Sequence, residues 1–383
     1  MGPQLEPATA APGAASSAGR TGEVGLKAGT ARQRSFGLAA IVGGLVLIGL
    51  AAAMLWRQPA TPAPYRYVTG EVVPPTELGA LAELGGQTLT VRRASIVSDE
   101  HPTPLAELEF IEPATTAAGA DGAAAAPPGP ILLDWKARVD DPFLTITTPP
   151  GDVAALAAVL QRHVGTDARL LAWWDLSRLF KRLAGVDVAF EQHLGVPLFL
   201  PAPWRNTDVS AVERAFWQAG EAEGRAPSKA QAAELERFER FASALTAPEG
   251  EGITALQALA AGSKTVLVLH LRDVVLLGQM MPDKLGVAFR DFGTMNDVHG
   301  MVRRVHGWLD EHKYPAYGVL QNPDRPLRAI ALTDEASTRT LVARLLPFVG
   351  NDQRDVPGAT LVYQLGGFSV FEIAPAAAPT ARP

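Results

Sequence analysis

The chain has 383 residues, of which 47% are hydrophobic, and its formal net charge is −6. This length is sufficient for one large domain or two of moderate size. The acidic balance argues against a nucleic-acid-binding protein, which would carry a basic face or stripe. The sequence has no cysteine, which excludes disulfides, cysteine-ligated zinc, iron–sulfur clusters and covalent haem attachment through C-x-x-C-H.

The first distinct element is an apolar run at residues 36–56 without a charged side chain. At about 1.5 Å per residue it would extend about 31 Å, close to the thickness of the hydrocarbon layer of a bilayer. Four basic residues lie between positions 20 and 34, whereas only Arg57 and Arg66 follow closely. The positive-inside rule therefore predicts a single-pass anchor with its N-terminus in the cytoplasm. The alternative is a cleaved signal peptide, whose apolar core would be shorter, about 7–15 residues.

Composition divides the rest of the chain into segments of different character. The predicted segments are a disordered tail at 1–35, the anchor at 36–56, a Pro-rich spacer at 57–64, a small β-rich section at 65–113, a flexible Ala/Gly/Pro linker at 114–130, a main domain at 131–375 and a loose tail at 376–383. The chain is thus predicted to carry one main domain on the far side of the membrane.

Hydrophobic periodicity predicts an α/β or α+β fold with a mixed sheet and flanking helices. Strands are predicted at 65–73, 88–97, 105–111, 131–135, 143–147, 169–173, 265–271, 317–320, 328–332, 360–364 and 368–373. Helices are predicted at 153–164 with Asp152 as N-cap, 177–183, 209–220, 229–247, 295–312, and from Thr333 or Asp334 through Leu346. The run 265–271 is continuously apolar, as is typical of a buried central strand, and Gly366-Gly367 predicts a hairpin turn.

One candidate site follows the predicted strand at 169–173. Trp173, Trp174 and Asp175 stand where this strand meets a helix, and Arg178 follows one turn later. Loops after the carboxyl ends of strands are common ligand sites in open α/β sheets. Alternation predicts one tryptophan in the core and the other near the opposite face, and Asp175 would cap the helix and pair with Arg178. The alternative is that Asp175 is only an N-cap and the tryptophans only pack.

Other motifs give little support for a particular chemistry. Arg290 and Asp291 begin an R-D-F-G tetrapeptide, but no Gly-rich loop or H-R-D motif accompanies it as in a kinase. His299, His306 and Asp310 share roughly one face of a predicted helix, yet two arginines between them disfavour a bound cation. Neither a metal site nor a cofactor is therefore predicted.

Four stretches resemble a known family. They are LLAWWDLSR (170–178), LGVAFRDF with the following VHG (285–300), LTDEASTRTLVARLLPF (332–348) and LVYQLGGFSVFEI (361–373). Together they are similar to the hydroxylamine oxidation protein HaoB family, whose members are encoded beside hydroxylamine oxidoreductase. The likeness covers roughly residues 140–375.

The resemblance implies an inner (cytoplasmic) membrane protein with a periplasmic main domain. It would assist the assembly, anchoring or stability of hydroxylamine oxidoreductase or another multihaem cytochrome. Without C-x-x-C-H the chain is expected to be a helper rather than an electron carrier, and more a binding protein than an enzyme. The candidate ligand or interface residues are Trp173, Trp174, Asp175, Arg178, Arg290 and Asp291. Two alternatives stay open: an envelope enzyme acting on a small molecule or glycan, with Asp175 or Asp291 as acid or base, and a general envelope scaffold.

Overall fold

In the computed structural model, the part of the chain from Ala63 to Pro383 forms one unit. The described residues are 64–79, 81, 89–113, 129–138, 148–165, 167–194, 207, 209–217, 228–260, 264–293, 298–321, 326–351 and 355–375. The predicted tails at 1–35 and 376–383, the predicted anchor at 36–56 and the predicted strand at 143–147 lie outside these ranges. Within them, every helix is too short or too polar to cross a bilayer.

The first part of the unit is a four-stranded antiparallel sheet in chain order. Its strands are β1 (Arg66–Val72), β2 (Val91–Val97), β3 (Ala106–Ile111) and β4 (Ile131–Ala137). Alternate side chains such as Leu108 and Trp135 are buried, whereas their neighbours are more exposed. The strands predicted in the β-rich section are confirmed.

Strand β4 begins at residue 131, the position at which the main domain was predicted to begin. β4 pairs with β3 along its length, so it completes the first sheet. Composition alone places a boundary at the Ala/Gly/Pro-rich segment, but strand pairing crosses that segment.

The next elements form the centre of the fold. In chain order they are α1 (Pro150–His163), β5 (Ala168–Leu171), α2 (Trp174–Ala184), β6 (Asp187–Val188), α3 (Ser210–Trp217), α4 (Lys229–Thr246), α5 (Glu249–Ala260), β7 (Lys264–His270) and α6 (Leu271–Met280). Helix α1 begins earlier than predicted because Pro150 supplies the fixed φ of a first helical residue. Asp152 therefore lies within the first turn and is not the N-cap.

The remaining elements complete a second and a third sheet. They are β8 (Val287–Asp291), α7 (Val298–His312), β9 (Ala316–Leu320), β10 (Arg328–Leu332), α8 (Glu335–Thr338), α9 (Leu341–Leu345), β11 (Ala359–Leu365) and β12 (Phe368–Ile373). One helix was predicted through Leu346, but the structure divides it between α8 and α9. Asp334 is the N-cap of α8, as expected, since its carboxylate accepts the Ser337 amide at 2.8 Å.

Two further sheets thus accompany the first. The five-stranded mixed sheet has the order β11-β12-β7-β5-β6, with β5 parallel to β6 and β7. The three-stranded antiparallel sheet has the order β8-β10-β9. A mixed α/β fold is confirmed, although the described residues after the β-rich section form two sheets where one mixed sheet was predicted. Strand β7 is central and buried from Thr265 to His270, as its apolar run indicates.

The predicted hairpin between β11 and β12 is confirmed. Gly366 and Gly367 have φ values of 55° and 89°, the left-handed region that favours glycine. A Cβ at Gly367 would lie 2.7 Å from the Nε2 atom of His270, and one at Gly366 would collide with the Asp152 carboxylate. The turn therefore places its backbone directly against the end of β7.

Candidate functional site

The candidate site lies at the carboxyl ends of two neighbouring strands, β5 and β7. Helix α2 starts at Trp174, just after β5, and α6 starts at Leu271, directly after β7. Because β5 and β7 are parallel and paired, the N-termini of α2 and α6 lie at the same edge of the sheet. Open α/β sheets commonly bind ligands at such an edge.

Charged side chains of the protein itself lie at this edge of the sheet. The Nη2 atom of Arg272 donates hydrogen bonds to both carboxylate oxygens of Asp175, at 2.6 and 2.8 Å. The Arg272 side chain is 2% exposed and that of Asp175 is 7% exposed. A second carboxylate, Asp273, has Oδ1 3.5 Å from the Nε atom of Arg272. Carboxylates are favoured near helix N-termini by the helix dipole, so these aspartates occupy the position that an anionic ligand would take.

His270 joins this cluster to the hairpin turn. Its Nδ1 atom accepts a hydrogen bond from the Arg272 backbone amide, and its own amide donates to Asp273 at 2.9 Å. Because Nδ1 is an acceptor, Nε2 carries the proton and donates to the Gly366 carbonyl oxygen at 3.2 Å. Burial and the Arg272 charge lower the pKa of His270 to about 3. The ring is therefore a neutral core residue that ends β7 and caps α6.

Burial also controls the protonation of Asp273. It raises the pKa of this carboxyl to about 7, although the Arg272 charge and the His270 amide act in the opposite direction. The Asp175–Arg272 pair is thus flanked by two groups, His270 and Asp273, whose neutral forms are stabilised by burial. Such an arrangement joins α2, α6 and the hairpin through fixed hydrogen bonds.

The structure corrects the expectation for the tryptophans and for Arg178. Trp173 and Trp174 are both buried, at 1% and 2% exposure. The N-cap of α2 is Trp173, and Asp175 pairs with Arg272 instead of Arg178. The buried Arg178 guanidinium donates to the carbonyl oxygens of residues 129 and 130, each at 2.9 Å. Asp175 thus connects α2 to α6, and Arg178 connects α2 to the residues just before β4. All four candidates are buried and do not form an exposed surface.

The other two candidates lie in the three-stranded sheet. Asp291 faces Arg328 across β8 and β10 and accepts two hydrogen bonds from it, at 2.7 and 2.6 Å. The Arg328 guanidinium also lies 5.1 Å from the centre of the Phe289 ring. Arg290 is exposed, with its guanidinium 5.5 Å from the ring centre of Phe292. The structure therefore separates the six candidates into one buried group and one partly exposed group.

Sequence reasoning missed a second buried polar cluster. Glu213 of α3 accepts hydrogen bonds from the hydroxyl groups of Tyr65 at 2.6 Å and Tyr67 at 2.7 Å. The Trp217 indole donates to the Tyr67 hydroxyl at 3.3 Å, and Phe216 stacks on the Tyr67 ring with centres 4.1 Å apart. Burial raises the pKa of Glu213. Because these partners lie about 150 residues apart in the chain, no local pattern indicates the contact.

Two small cavities share Trp135 in their walls. One is lined by Asp175 and Arg272, and the other by Trp174 and Glu213. Each has a volume of about 10 Å³, close to the space needed for one water molecule. Among the described residues, no group of three or more His, Asp or Glu side chains is arranged to hold a metal ion.

Comparison with known proteins decides the family. The model of a family described as HaoA-associated protein HaoB matches residues 30–373. This chain belongs to the HaoB family. The resemblance inferred from four sequence stretches is confirmed, and the match extends further towards the N-terminus than the likeness at 140–375. Membership gives the chain an accessory role in hydroxylamine oxidation. Neither the curated proteins nor the solved structures include a significant match.

The stretches that carry the HaoB resemblance lie mainly around the candidate site. Residues 170–178 form the end of β5 and the start of α2, and residues 361–373 form most of the β11–β12 hairpin. Of the stretch 285–300, the described residues include β8, and the stretch 332–348 begins at the last residue of β10 and includes α8 and α9. In this HaoB family member, the recognisable sequence therefore builds the central sheet edge and its neighbouring helices.

Proposed function

We propose that this chain is a membrane-anchored periplasmic partner of hydroxylamine oxidoreductase, which it helps to assemble, anchor or stabilise. The proposal rests on the family match at residues 30–373, since the family is described by its association with HaoA. That range includes the whole apolar run at 36–56. The run has the length of a membrane span, and the excess of basic residues before it supports a cytoplasmic N-terminus.

Arg290 is the candidate that best suits a contact with the oxidoreductase. It is exposed on β8, which is an edge strand of its sheet, and its guanidinium lies near the Phe292 ring. Interfaces are enriched in arginine and aromatic side chains. Trp173, Trp174, Asp175 and Arg178 would support the fold and would not contact a partner directly, because all four are buried.

The two alternatives receive less support. The two carboxylates considered as catalytic groups are both held in ion pairs, Asp175 with Arg272 and Asp291 with Arg328. The cavity beside Asp175 has room for about one water molecule. A general envelope scaffold would leave the family match unexplained.

The test is an affinity pull-down of the tagged full-length chain from gently solubilised membranes, followed by haem staining and mass spectrometry. The wild-type chain should recover a multihaem hydroxylamine oxidoreductase, and Arg290→Glu should recover at least threefold less. Arg162→Glu is the matched control, because it makes the same charge change at an exposed position of α1. If cells that express both proteins yield no cytochrome with the wild-type chain, the proposal is wrong.

The absence of cysteine allows a separate test of the topology. Val302 is 50% exposed on α7, so a Val302→Cys variant would carry a single accessible thiol. In intact spheroplasts this thiol should react with a membrane-impermeant maleimide, whereas the thiol of Ser17→Cys should react only after lysis. Labelling of Ser17→Cys alone in intact spheroplasts would reverse the proposed orientation.

A further inference from the structure

The helical hairpin of α4 and α5 carries a groove on its surface. The two helices pack closely because Gly252 has no side chain: a Cβ there would lie 2.5 Å from the Ala244 carbonyl oxygen. The groove has a volume of about 380 Å³. The side chains in its wall are mostly small, among them Ser243, Ala247, Ala255 and Ala258. Small side chains allow another helix to approach closely.

Two side chains of opposite charge border this groove and form no ion pair within the part of the chain that the structure describes. Arg240 and Glu251 are exposed, and neither has a hydrogen-bond or ion-pair partner among the described residues. Three other charged groups of the hairpin are engaged within the chain: Glu234 accepts two backbone amides, Arg237 donates to a carbonyl oxygen, and Glu249 pairs with an arginine. The groove charges are therefore free to meet a second surface.

Helix geometry places these charges at opposite ends of the groove. Arg240 precedes the hairpin connection at Ala247 by seven residues, or about 10 Å of helix. Glu251 follows Ala247 by only four residues and lies in the first turn of α5. The negative end of the groove is thus near the hairpin turn, and the positive end is towards its open side.

We propose that this groove is the surface on which a second copy of the chain docks. A two-fold axis through the middle of the groove would place Arg240 of one copy opposite the partner's Glu251, and would repeat the same pair by symmetry. Two-fold interfaces require such a self-complementary patch. Any partner must present an acidic and a basic group in the reverse order, and a second copy related by this two-fold axis does so.

Charge exchange in the full-length, detergent-solubilised protein tests the proposal, with the oligomeric state measured by analytical ultracentrifugation. The wild-type chain should be dimeric. Arg240→Glu and Glu251→Arg would each bring two pairs of like charges together and should weaken dimerisation at least tenfold. The double variant restores both pairs and should again be dimeric. A mixture of the two single variants should form heterodimers, since each charge then meets its opposite.

A unique thiol gives an independent measurement. Because the wild-type chain has no cysteine, Ser243→Cys near the middle of the groove should give a disulfide-linked dimer on mild oxidation. Val302→Cys is the control at an exposed position of α7 and should stay monomeric on a denaturing gel. A monomeric wild-type chain, or single variants that dimerise as well as wild type, would overturn the inference. So would single variants that lose the oxidoreductase while their oligomeric state is unchanged. These measurements need no oxidoreductase, so they can fail without affecting the proposed function.

Discussion

Ion pairs of the same chemistry occur in two very different regions of this molecule. At the edge of the central sheet, Arg272 and Asp175 form a pair whose side chains are 2% and 7% exposed. On the first sheet, Arg93 lies within ion-pair distance of three glutamates, yet its side chain is 38% exposed. The exposed Arg93 thus has three carboxylate neighbours, whereas the buried Arg272 has two. The number of carboxylate neighbours is therefore a poor measure of how much each arginine contributes to the free energy of unfolding.

The two regions differ in whether water can solvate an arginine that has lost its carboxylate partner. Water can solvate Arg93 if a glutamate is removed, and the measured value of such exposed pairs is usually below about 1 kcal/mol. The Arg272 side chain is 2% exposed, and the cavity beside it has room for only about one water molecule, so bulk water does not solvate it. A buried charge that loses its partner is uncompensated, which is much more costly. Removing the partners one at a time in both regions therefore tests whether burial determines how much each ion pair contributes to stability.

The largest effect is expected for Asp175→Ala. It should lower the free energy of unfolding by about 3–5 kcal/mol, because the buried Arg272 would lose both of its hydrogen bonds to Asp175 and keep only Asp273, 3.5 Å from its Nε atom, as a carboxylate neighbour. Urea unfolding followed by tryptophan fluorescence measures this change. The control is the double variant Asp175→Leu with Arg272→Met, which removes both charges and should recover most of the loss. A single variant that loses less than about 1 kcal/mol would show that this pair behaves like a surface pair.

Glu213→Ala is expected to have the next largest effect. It leaves the buried hydroxyl groups of Tyr65 and Tyr67 without their acceptor, and an unsatisfied buried polar group costs about 1–3 kcal/mol. We expect a total loss of about 2–3 kcal/mol, measured in the same unfolding experiment. Glu213→Gln keeps an acceptor oxygen in place and should lose less than half as much. Equal losses in both variants would show that charge, and not hydrogen bonding, is what matters here.

Acid stability tests the buried histidine. The pKa of His270 is lowered from 6.5 to about 3, so between these values the unfolded chain binds more protons than the folded chain. The contribution of His270 to stability is therefore present above pH 6.5 and is lost as the pH falls towards 3. Asn is a good N-cap, which makes His270→Asn a suitable comparison. Relative to this variant, the wild-type chain should lose up to about 1.4 kcal/mol between pH 6 and pH 5.

The difference between the two proteins is the informative quantity in that experiment. Burial raises the pKa of Asp273 to about 7, so the folded chain binds more protons at this group between about pH 3.8 and 7. Its contribution therefore has the opposite sign, and it weakens as the pH rises through that range. Because both proteins contain Asp273, this contribution largely cancels. A difference that does not vary with pH would mean that His270 titrates normally in the folded chain.

Local sequence patterns predicted the parts of this fold that depend on neighbouring residues. The apolar run of β7 and the Gly366-Gly367 turn are local signals, and both elements form as expected. The partner of Asp175 is 97 residues away, and only the parallel pairing of β5 with β7 brings Arg272 to it. Sequence spacing favoured Arg178 instead, because it is one helical turn from Asp175. Helix α6 was missed because it follows β7 without any loop.

The smallest effect is expected for Arg93→Met on the first sheet. The arginine contacts Glu71, Glu77 and Glu109, but these partners are 78%, 50% and 30% exposed, and water can solvate each carboxylate once the arginine is gone. We therefore expect a loss of less than about 1 kcal/mol in the free energy of unfolding at low salt. That loss should shrink further in 1 M salt, where the Debye length falls to about 3 Å, whereas the Asp175→Ala loss should persist because its pair is shielded from ions. A loss of several kcal/mol for Arg93→Met would mean that the three glutamates act as one coupled network, and exposure alone would then not separate the two regions.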